Sequence, residues 1–539
     1  MDMTSLLEEE FAVEIKSEQE TRGKGEEYTD DDGSAPGRCW HAATGESIGP
    51  ISCLEEQVWS QQENPELADQ DIFGALAFNV ESPSFQICFG DLSGQGVLAV
   101  SGEEHDLRPT CAATPNLPED ESQMLSVGEI VKLAGVKFVQ MCFLDVDPTL
   151  DISCQRNLSD KESQDVQLVE HLLFCAEKVH YQQFDRASKL LCQLSLMCSN
   201  DGNPIQRLVY YFAEALHVRI DRGSGRITDN EHGLKRTSTP WADKKTTINY
   251  VAYHQGIPFM QIAQFTGVQA IINSVSKATR IHVIDLQISS GVQWTVLLQA
   301  LALRHNRKIE LLKITALATS MKNMVEGTGT GLKRLAESLN IPFEFSVVLV
   351  KDMLDLRREH FDLSPKETVV VYSQFFLQGM IPQPDRLESL MKVIRDIHPR
   401  RMVVIETEAN HNSPDFVGRF IDYLFYVAAF FDCLEACVEK ERRKSMESMF
   451  FVPAIKNIVA AEGEDRKYRS VKVDVWKAYL SRFKMAEVEL GEMALYQANL
   501  VTEQFGCCGK SCTFENKGKS LIVGWKGTPV QSISLFKFK

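Results

Sequence analysis

The 539-residue chain contains no run of the roughly 18 apolar residues that a membrane-spanning helix needs. Its first twenty residues are acidic and hold no apolar signal-peptide core. An intracellular protein with no membrane partner is therefore expected. The 14 cysteines are scattered rather than set at framework spacings, which predicts reduced, partly buried thiols in place of disulfides. Cys507, Cys508 and Cys512 lie close together, but no fourth Cys or His stands at finger spacing. Adjacent cysteines also suit one tetrahedral ion poorly, so no metal site is expected. The Gly-x-Ser-x-Gly elbow and the His-Glu-x-x-His helix of common hydrolases are missing. So are the helix-turn-helix and finger patterns of common DNA readers.

Charge is present but unevenly shared. Residues 1–164 carry 33 acidic and 9 basic side chains, a net of −24, whereas the remainder carries 41 and 48, a net of +7. An acidic arm thus precedes a mildly basic body, an asymmetry typical of an interaction tail. Residues 1–120 mix Glu8, Glu9 and Glu10 and Asp30, Asp31 and Asp32 with Gly, Ser and Pro, and lack sustained periodicity. A disordered arm follows. Short apolar islands within it, such as 72–78 and 85–89, suit either segments that fold on a partner or incidental hydrophobes in a solvated tail. Residues 121–165 read as a linker holding one amphipathic helix over 125–143, with Ser126 and Glu129 spaced as a capping box. That helix is expected to dock on the body.

Helical spacing then dominates. Val169, Leu172, Leu173, Ala176 and Val179 form one stripe, which Leu190, Leu191, Leu194 and Met197 repeat. Such stripes serve as packed core or as a dimer seam, and core is the simpler assignment. A further helix over 205–219 places Leu208, Tyr211, Phe212 and Ala215 on one side, a polar loop covers 223–245, and helices resume over 249–277. After Arg280 the period switches. Strand-like runs at 281–286, 309–315, 343–350, 368–373 and 401–408 alternate with helical stretches at 292–304, 331–339, 384–397 and 414–438. This alternation predicts βαβ units and a mainly parallel sheet. Runs at 483–490, 520–525 and 532–538 around a helix over 493–505 read as a late antiparallel extension. The expected fold is α/β and Rossmann-like: a helical cap over 166–277, then an α/β core over 278–539.

The first βα unit is where such folds grip nucleotides and methyl donors. Ile281, Val283 and Ile284 would build the centre of the sheet, and Asp285 to Trp294, including Gly291 and Gln293, the seam where the cap rests. The turn has one glycine where dinucleotide enzymes have three, and Ile288 would crowd it. After the second strand, Ala316, Leu317 and Ala318 stand where a ribose-binding carboxylate is needed. Both halves of the cofactor grip are missing, so no cofactor and no catalysis are expected. Asp285, Gln287 and Glu406 would reach the rim of the crevice, either to bond a ligand or to hold the cap. Gly-Thr-Gly-Thr-Gly at 327–331 reads as a turn before a helix, either holding an anion at the helix N-terminus or, more simply, a plain flexible loop. His282 reads as a satisfied core histidine, and Cys433 and Cys437, one helical turn apart, as ordinary core. The basic run at 440–444, with Arg442, Arg443 and Lys444, suits phosphate contact, a solvated helix face or a nuclear-import signal.

The block Ile-His-Val-Ile-Asp-Leu-Gln-Ile-Ser-Ser-Gly-Val-Gln-Trp at 281–294 resembles the signature block of the plant GRAS family of transcriptional regulators. Four further blocks agree in order. Residues 168–194, with Leu172, Leu173, Leu190 and Leu191, resemble the first leucine-rich region, and 332–345 the second. Residues 439–476, with Ile-Val-Ala-Ala-Glu-Gly at 458–463 and Trp476, resemble the next block. Gln-Ala-Asn-Leu at 497–500 and Gly-Trp-Lys around Trp525 resemble the last. The resemblance implies a methyltransferase-like core with a helical cap and no catalysis. It also implies a nuclear coregulator whose partners are transcription factors and other GRAS-like chains, in homo- or heterodimers, with DNA reached mostly indirectly. The body is nearest the DELLA branch, but the arm has no Asp-Glu-Leu-Leu-Ala segment, which argues against gibberellin-receptor control through that motif. The family's closing Ser-Ala-Trp is Ser534, Leu535 and Phe536 here, and its Arg-Glu pairs near Arg466 are partly replaced. Direct DNA binding by the body, or small-ligand binding in the crevice, are the alternative functions.

Overall fold

Capping side chains set several helix starts. Ser126, Ser159 and Asn203 each accept from the amide three residues on, and Glu129, Glu162 and Gln206 reach back to the capping residue's own amide. All three are capping boxes. They open α1 (Val127–Phe143), α2 (Asp160–His180) and α4 (Pro204–Gly223), with α3 (Phe184–Ser195) between the last two. The computed structural model describes residues 124–143, 158–226, 253, 256–304 and 307–539. The acidic arm over 1–120 and most of the expected polar loop lie outside the described residues.

Helix α1 docks as the sequence suggests. It packs on α2 and on α9 (Phe416–Cys437), and Val127 N donates to Asp432 Oδ1 at 3.3 Å. The first leucine stripe is buried throughout. The second holds at Leu191 and Leu194, but Leu190 is only half-buried and Met197 is 47 % exposed. Helix α3 ends at Ser195, so Met197 leaves the helical phase that would have turned it inward. Leu208, Phe212 and Ala215 of α4 are buried, with Tyr211 half-buried.

Nine described strands form one sheet in the order β3-β2-β1-β4-β5-β9-β8-β7, with β6 also pairing β9, where β6 is Met485–Val488, β7 Cys512–Lys517, β8 Ser520–Trp525 and β9 Thr528–Phe538. Strands β1 (Arg280–Asp285), β2 (Leu311–Ala318), β3 (Phe343–Leu349), β4 (Thr368–Gln374) and β5 (Arg401–Thr407) pair in parallel. Nearly every residue of β1, β2 and β5 is buried, as strands covered on both faces require. Helix α5 (Pro258–Ser274), almost wholly buried, lies on β5, β8 and β9, and beside α6 (Val292–Ala302). Helix α7 (Lys322–Ser338) covers β2 and β3, α8 (Pro384–Ile397) precedes β5, and α9 reaches β8 and β9. Three further helices, α10 (Lys440–Met446), α11 (Val452–Ala460) and α12 (Val473–Ser481), lead to β6 (Met485–Val488) and α13 (Glu492–Gln504).

The antiparallel extension is present, with two differences. Strand β9 (Thr528–Phe538) begins at Thr528 rather than at residue 532, because Lys526 and Gly527, both at positive φ, make a two-residue hairpin turn after β8 (Ser520–Trp525). Strand β7 (Cys512–Lys517) was not legible: Cys-Thr-Phe-Glu-Asn-Lys is polar and mostly exposed. It is the sheet edge, where polar composition blunts aggregation. Strand β2 also runs past its expected end at Thr315, since Ala316, Leu317 and Ala318 go on pairing with β3.

The glycine-rich segment 327–331 is not a turn but the middle of α7. A Cβ on Gly329 would stand 2.1 Å from the Phe345 ring, so the glycine lets helix and strand approach. Gly327 is exposed with open space at its Cβ position. Gly329→Ala should therefore destabilise by about 1–3 kcal/mol through overpacking. Gly327→Ala should stabilise by about 0.5–1 kcal/mol through helix propensity. Urea unfolding of the two variants checks the opposite signs.

Candidate functional site

The strand order reverses between β1 and β4, so the carboxyl ends of these strands are where a doubly wound sheet would bind a ligand. In this chain the protein fills that place itself. Asp285, 1 % exposed, accepts from Gln287 N at 3.0 Å, Gln293 Nε2 at 3.1 Å and Trp294 Nε1 at 2.7 Å. Burial pushes its carboxyl up to about 6 against the pull of these donors. Ile288 is buried beside the turn. Gly291 is left-handed at φ 72°, and a Cβ there would meet Thr328 Cγ2 at 2.7 Å and Leu332. Thr328 Oγ1 donates to Ser289 O at 2.9 Å. The turn is thus closed from above by α7, the helix that carries the second glycine cluster.

The other rim residues divide. Glu406, fully buried, accepts from Leu377 N at 2.9 Å and Gln378 N at 3.3 Å, and burial pushes its carboxyl up to about 8. Gln287 is exposed and contributes its backbone amide to Asp285. Trp294 meets Tyr372 edge to face, with ring centroids 5.0 Å apart. Tyr372 OH donates to Gln374 Oε1 at 2.9 Å, and Gln264 of α5 donates to the same oxygen at 3.0 Å. Beyond β2 come Thr319, Ser320 and Met321, so the ribose position carries no carboxylate even with the longer strand.

Ile281, Val283 and Ile284 are buried in β1, between β2 and β4. His282 is fully buried. Its Nε2 lies 2.8 Å from Thr315 Oγ1, and its Nδ1 is 3.2 Å from Glu367 Oε2 without hydrogen-bond alignment. Burial, assisted by Lys313, lowers its pKa to about 4 and keeps it neutral. Trp476 is buried on α12, with no hydrogen-bond partner for its Nε1 among the described residues. Trp525 closes β8 by donating to Asp432 Oδ2 at 2.6 Å.

The basic run is largely consumed by ion pairs. Arg443 is 8 % exposed and pairs with Glu435 at 2.9 Å, and Lys444 and Lys440 both reach Asp201, at 2.9 and 3.0 Å. Arg442 is exposed. Three of the four cations are thus engaged with neighbouring carboxylates, Lys440 and Lys444 sharing Asp201. Two groupings escaped the sequence because their members are far apart along the chain. Cys508 and Cys512 come beside Cys433 and Cys437, whose sulfurs are 4.0 Å apart, while Cys508 Sγ donates to Ala436 O. Burial pushes the Cys512 thiol up to about 12. No set of three or more His, Cys, Asp or Glu among the described residues is arranged to hold a metal ion. The second grouping joins Arg219, Arg419, Arg466 and Arg469 around Glu462. Only the partial Arg-Glu pattern near Arg466 signals it in the sequence.

Two outcomes follow for the crevice. Asp285→Ala strands three donors, each costing about 1–3 kcal/mol when left unsatisfied. A urea-unfolding loss of at least about 2 kcal/mol is expected, and a smaller one for Asp285→Asn. Glu406 holds its proton in the folded state up to about pH 8 but releases it near 4.5 when unfolded. Its contribution to stability is thus complete below about 4.5 and is lost as pH rises to about 8, at up to about 1.4 kcal/mol per pH unit. Relative to wild type, Glu406→Gln should gain stability across that window, measured by thermal melting at several pH values.

The strand order, the closed turn and the sequence blocks can be set beside known proteins. The chain is 31 % identical over 384 residues to DELLA protein GAIP of Cucurbita maxima, covering 70 % of this chain and 64 % of that protein. It is also 31 % identical over 390 residues to DELLA protein RGL1 of Arabidopsis thaliana, covering 72 % and 73 %. The chain therefore spans a little under two thirds of the length of the first of these curated relatives. Its fold matches the crystal structure of SCL7 from Oryza sativa with a TM-score of 0.60 at 24 % identity, over 69 % of this chain and 99 % of that one. The GRAS domain family model matches residues 168–537, the span that holds the whole sheet and its helices, and the chain belongs to that family.

Proposed function

We propose that this GRAS-family protein is a plant transcriptional regulator that works in the nucleus as a coregulator, by binding transcription factors and other GRAS-like chains rather than by catalysis. The observation that carries this is the closed crevice. Asp285 is committed to Trp294 and Gln293, Glu406 to two backbone amides, and Thr328 and Leu332 stand over Gly291. A site built for a cofactor would leave those groups free to bind it. The ion pairs of the 440–444 run favour DNA reached through partners rather than by that helix.

The helical region offers a place for a partner. Leu196 is 89 % exposed and Met197 47 %, at the end of the second leucine stripe, and Cys192 is exposed one turn before Leu196. Exposed leucine and methionine beside a buried stripe are suited to the centre of a protein interface. The acidic arm, net −24 over 1–164, supplies the charge for recruiting basic partners.

The test is a pull-down of nuclear factors and GRAS-like chains with the full-length protein and with the Leu196→Asp, Met197→Asp double variant. Partners that bind wild type should be lost at least about tenfold in affinity, because a charge is placed in an apolar interface. Unchanged thermal melting shows that the fold survives. Wild-type protein that captures no such partner refutes the function, and unchanged capture by the variant refutes the surface.

A further inference from the structure

Where α4 meets α9 and the segment after α11, four guanidinium groups gather around one carboxylate. Arg219 Nη2 and Arg419 Nη2 both bond the same oxygen, Glu462 Oε1, at 2.8 and 2.6 Å. Arg219 lies over the Phe416 ring, its Cζ 3.9 Å from the ring centroid, a cation–π contact that helps to position its donors. Arg466 and Arg469 come from the loop beyond. Arg466 donates to Ser413 O and Asn412 O, and Arg469 to Asn412 Oδ1. The cluster is built rather than incidental, since the Arg419 side chain is 1 % exposed and Arg466 is 4 % exposed. Arg466 Nε is buried with no hydrogen-bond partner among the described residues.

The charges do not balance. Burial and the neighbouring Arg419 and Arg469 lower Arg466 to about 9. Burial, then Arg419 and Arg466, lower His411 beside them to about 3. Burial would raise the Glu462 carboxyl, yet Arg419 and Arg219 outweigh it and hold it below the ordinary range. Of the nearby acids, Asp415 caps α9 through Gly418 N and its charge also acts on Arg419, while Asp422 accepts from Asn410 N. Glu462 and the capping Asp415 therefore answer four cations, and only Glu462, half-exposed, is bonded to two of them. Its side chain is 48 % exposed on extended backbone, so it can swing outward without disturbing a helix.

We propose that this arginine cluster is a receptor for a phosphate monoester dianion, with Glu462 as the internal group that the ligand displaces. A dianion matches the charge excess better than a carboxylate, and planar guanidinium donors suit phosphate oxygens. Displacement frees Arg219 Nη2 and Arg419 Nη2 for the ligand. The donor is either free phosphate or a phosphoserine on a polypeptide. The site is separate from the closed crevice and from the Leu196 surface, so its failure leaves the proposed function untouched.

Calorimetric titration of the full-length protein at constant ionic strength tests this, with inorganic phosphate and a short phosphoserine peptide as probes. Saturable binding should appear for at least one probe, and the tighter of the two identifies the source. Glu462→Gln should tighten it about tenfold, because the competing charge is removed, and adding Arg219→Gln should abolish that gain. Glu462→Gln requires only a gain of binding, so the test stands even where arginine variants unfold. The proposal is overturned if neither probe binds wild type or Glu462→Gln, if Glu462→Gln binds no tighter, or if duplex DNA binds through these residues while both monoester probes do not.

Discussion

One buried carboxylate organises the centre of this protein. Asp285 ends β1 inside the core, where an ionised group is costly unless its lone pairs are filled. Three donors fill them, and each fixes something else: Gln287 N the path of the turn, Gln293 Nε2 the first turn of α6, and Trp294 Nε1 the indole plane. Trp294 then sets Tyr372 on β4, whose hydroxyl shares Gln374 Oε1 with Gln264 of α5. Two sets of hydrogen bonds, joined by that one ring contact, thus cross from the first strand to the helix beneath β5, β8 and β9. Such networks act as a unit, because leaving one member unsatisfied in a low dielectric is expensive for its neighbours.

That arrangement changes what the glycines are for. In a nucleotide-binding turn they open room for phosphates beside the backbone. Here the glycine cluster has moved into α7. Gly329 admits Phe345, and the same helix brings Thr328 and Leu332 over Gly291. The room is used for close packing between a helix, a strand and a turn. An architecture shared with cofactor enzymes is compatible with a filled crevice, since fold alone does not dictate function.

Much of this was legible. The switch from helical to strand spacing after Arg280 located all five parallel strands, because strands buried on both faces read as unbroken apolar runs. Other features could not be read. A run of Gly and Thr has low helix propensity, and long-range contacts to Phe345, Ser289 and Gly291 hold 327–331 as helix. The edge strand β7 looks like a loop because its job is to be polar. The cysteine and arginine groupings join residues more than 40 positions apart, Arg219 with Glu462 for example, which no local spacing reveals.

The same long-range charges explain how the helical region is held. Arg207 of α4 is buried and bonds Glu447, also buried, at 3.0 Å, while its Nη1 reaches Glu435 of α9, which also pairs with Arg443. Glu447 opens a π-helical segment, Glu447–Phe451, whose wider turn changes the phase at which side chains face α4. Apolar residues of equal volume could supply as much stability at this junction, because desolvating two charges offsets most of their attraction. What the ions add is register: Arg207 has one position on α4 from which it meets both carboxylates, whereas leucines slide past one another at little cost. A helical region fixed this way presents its outer residues at set distances and angles.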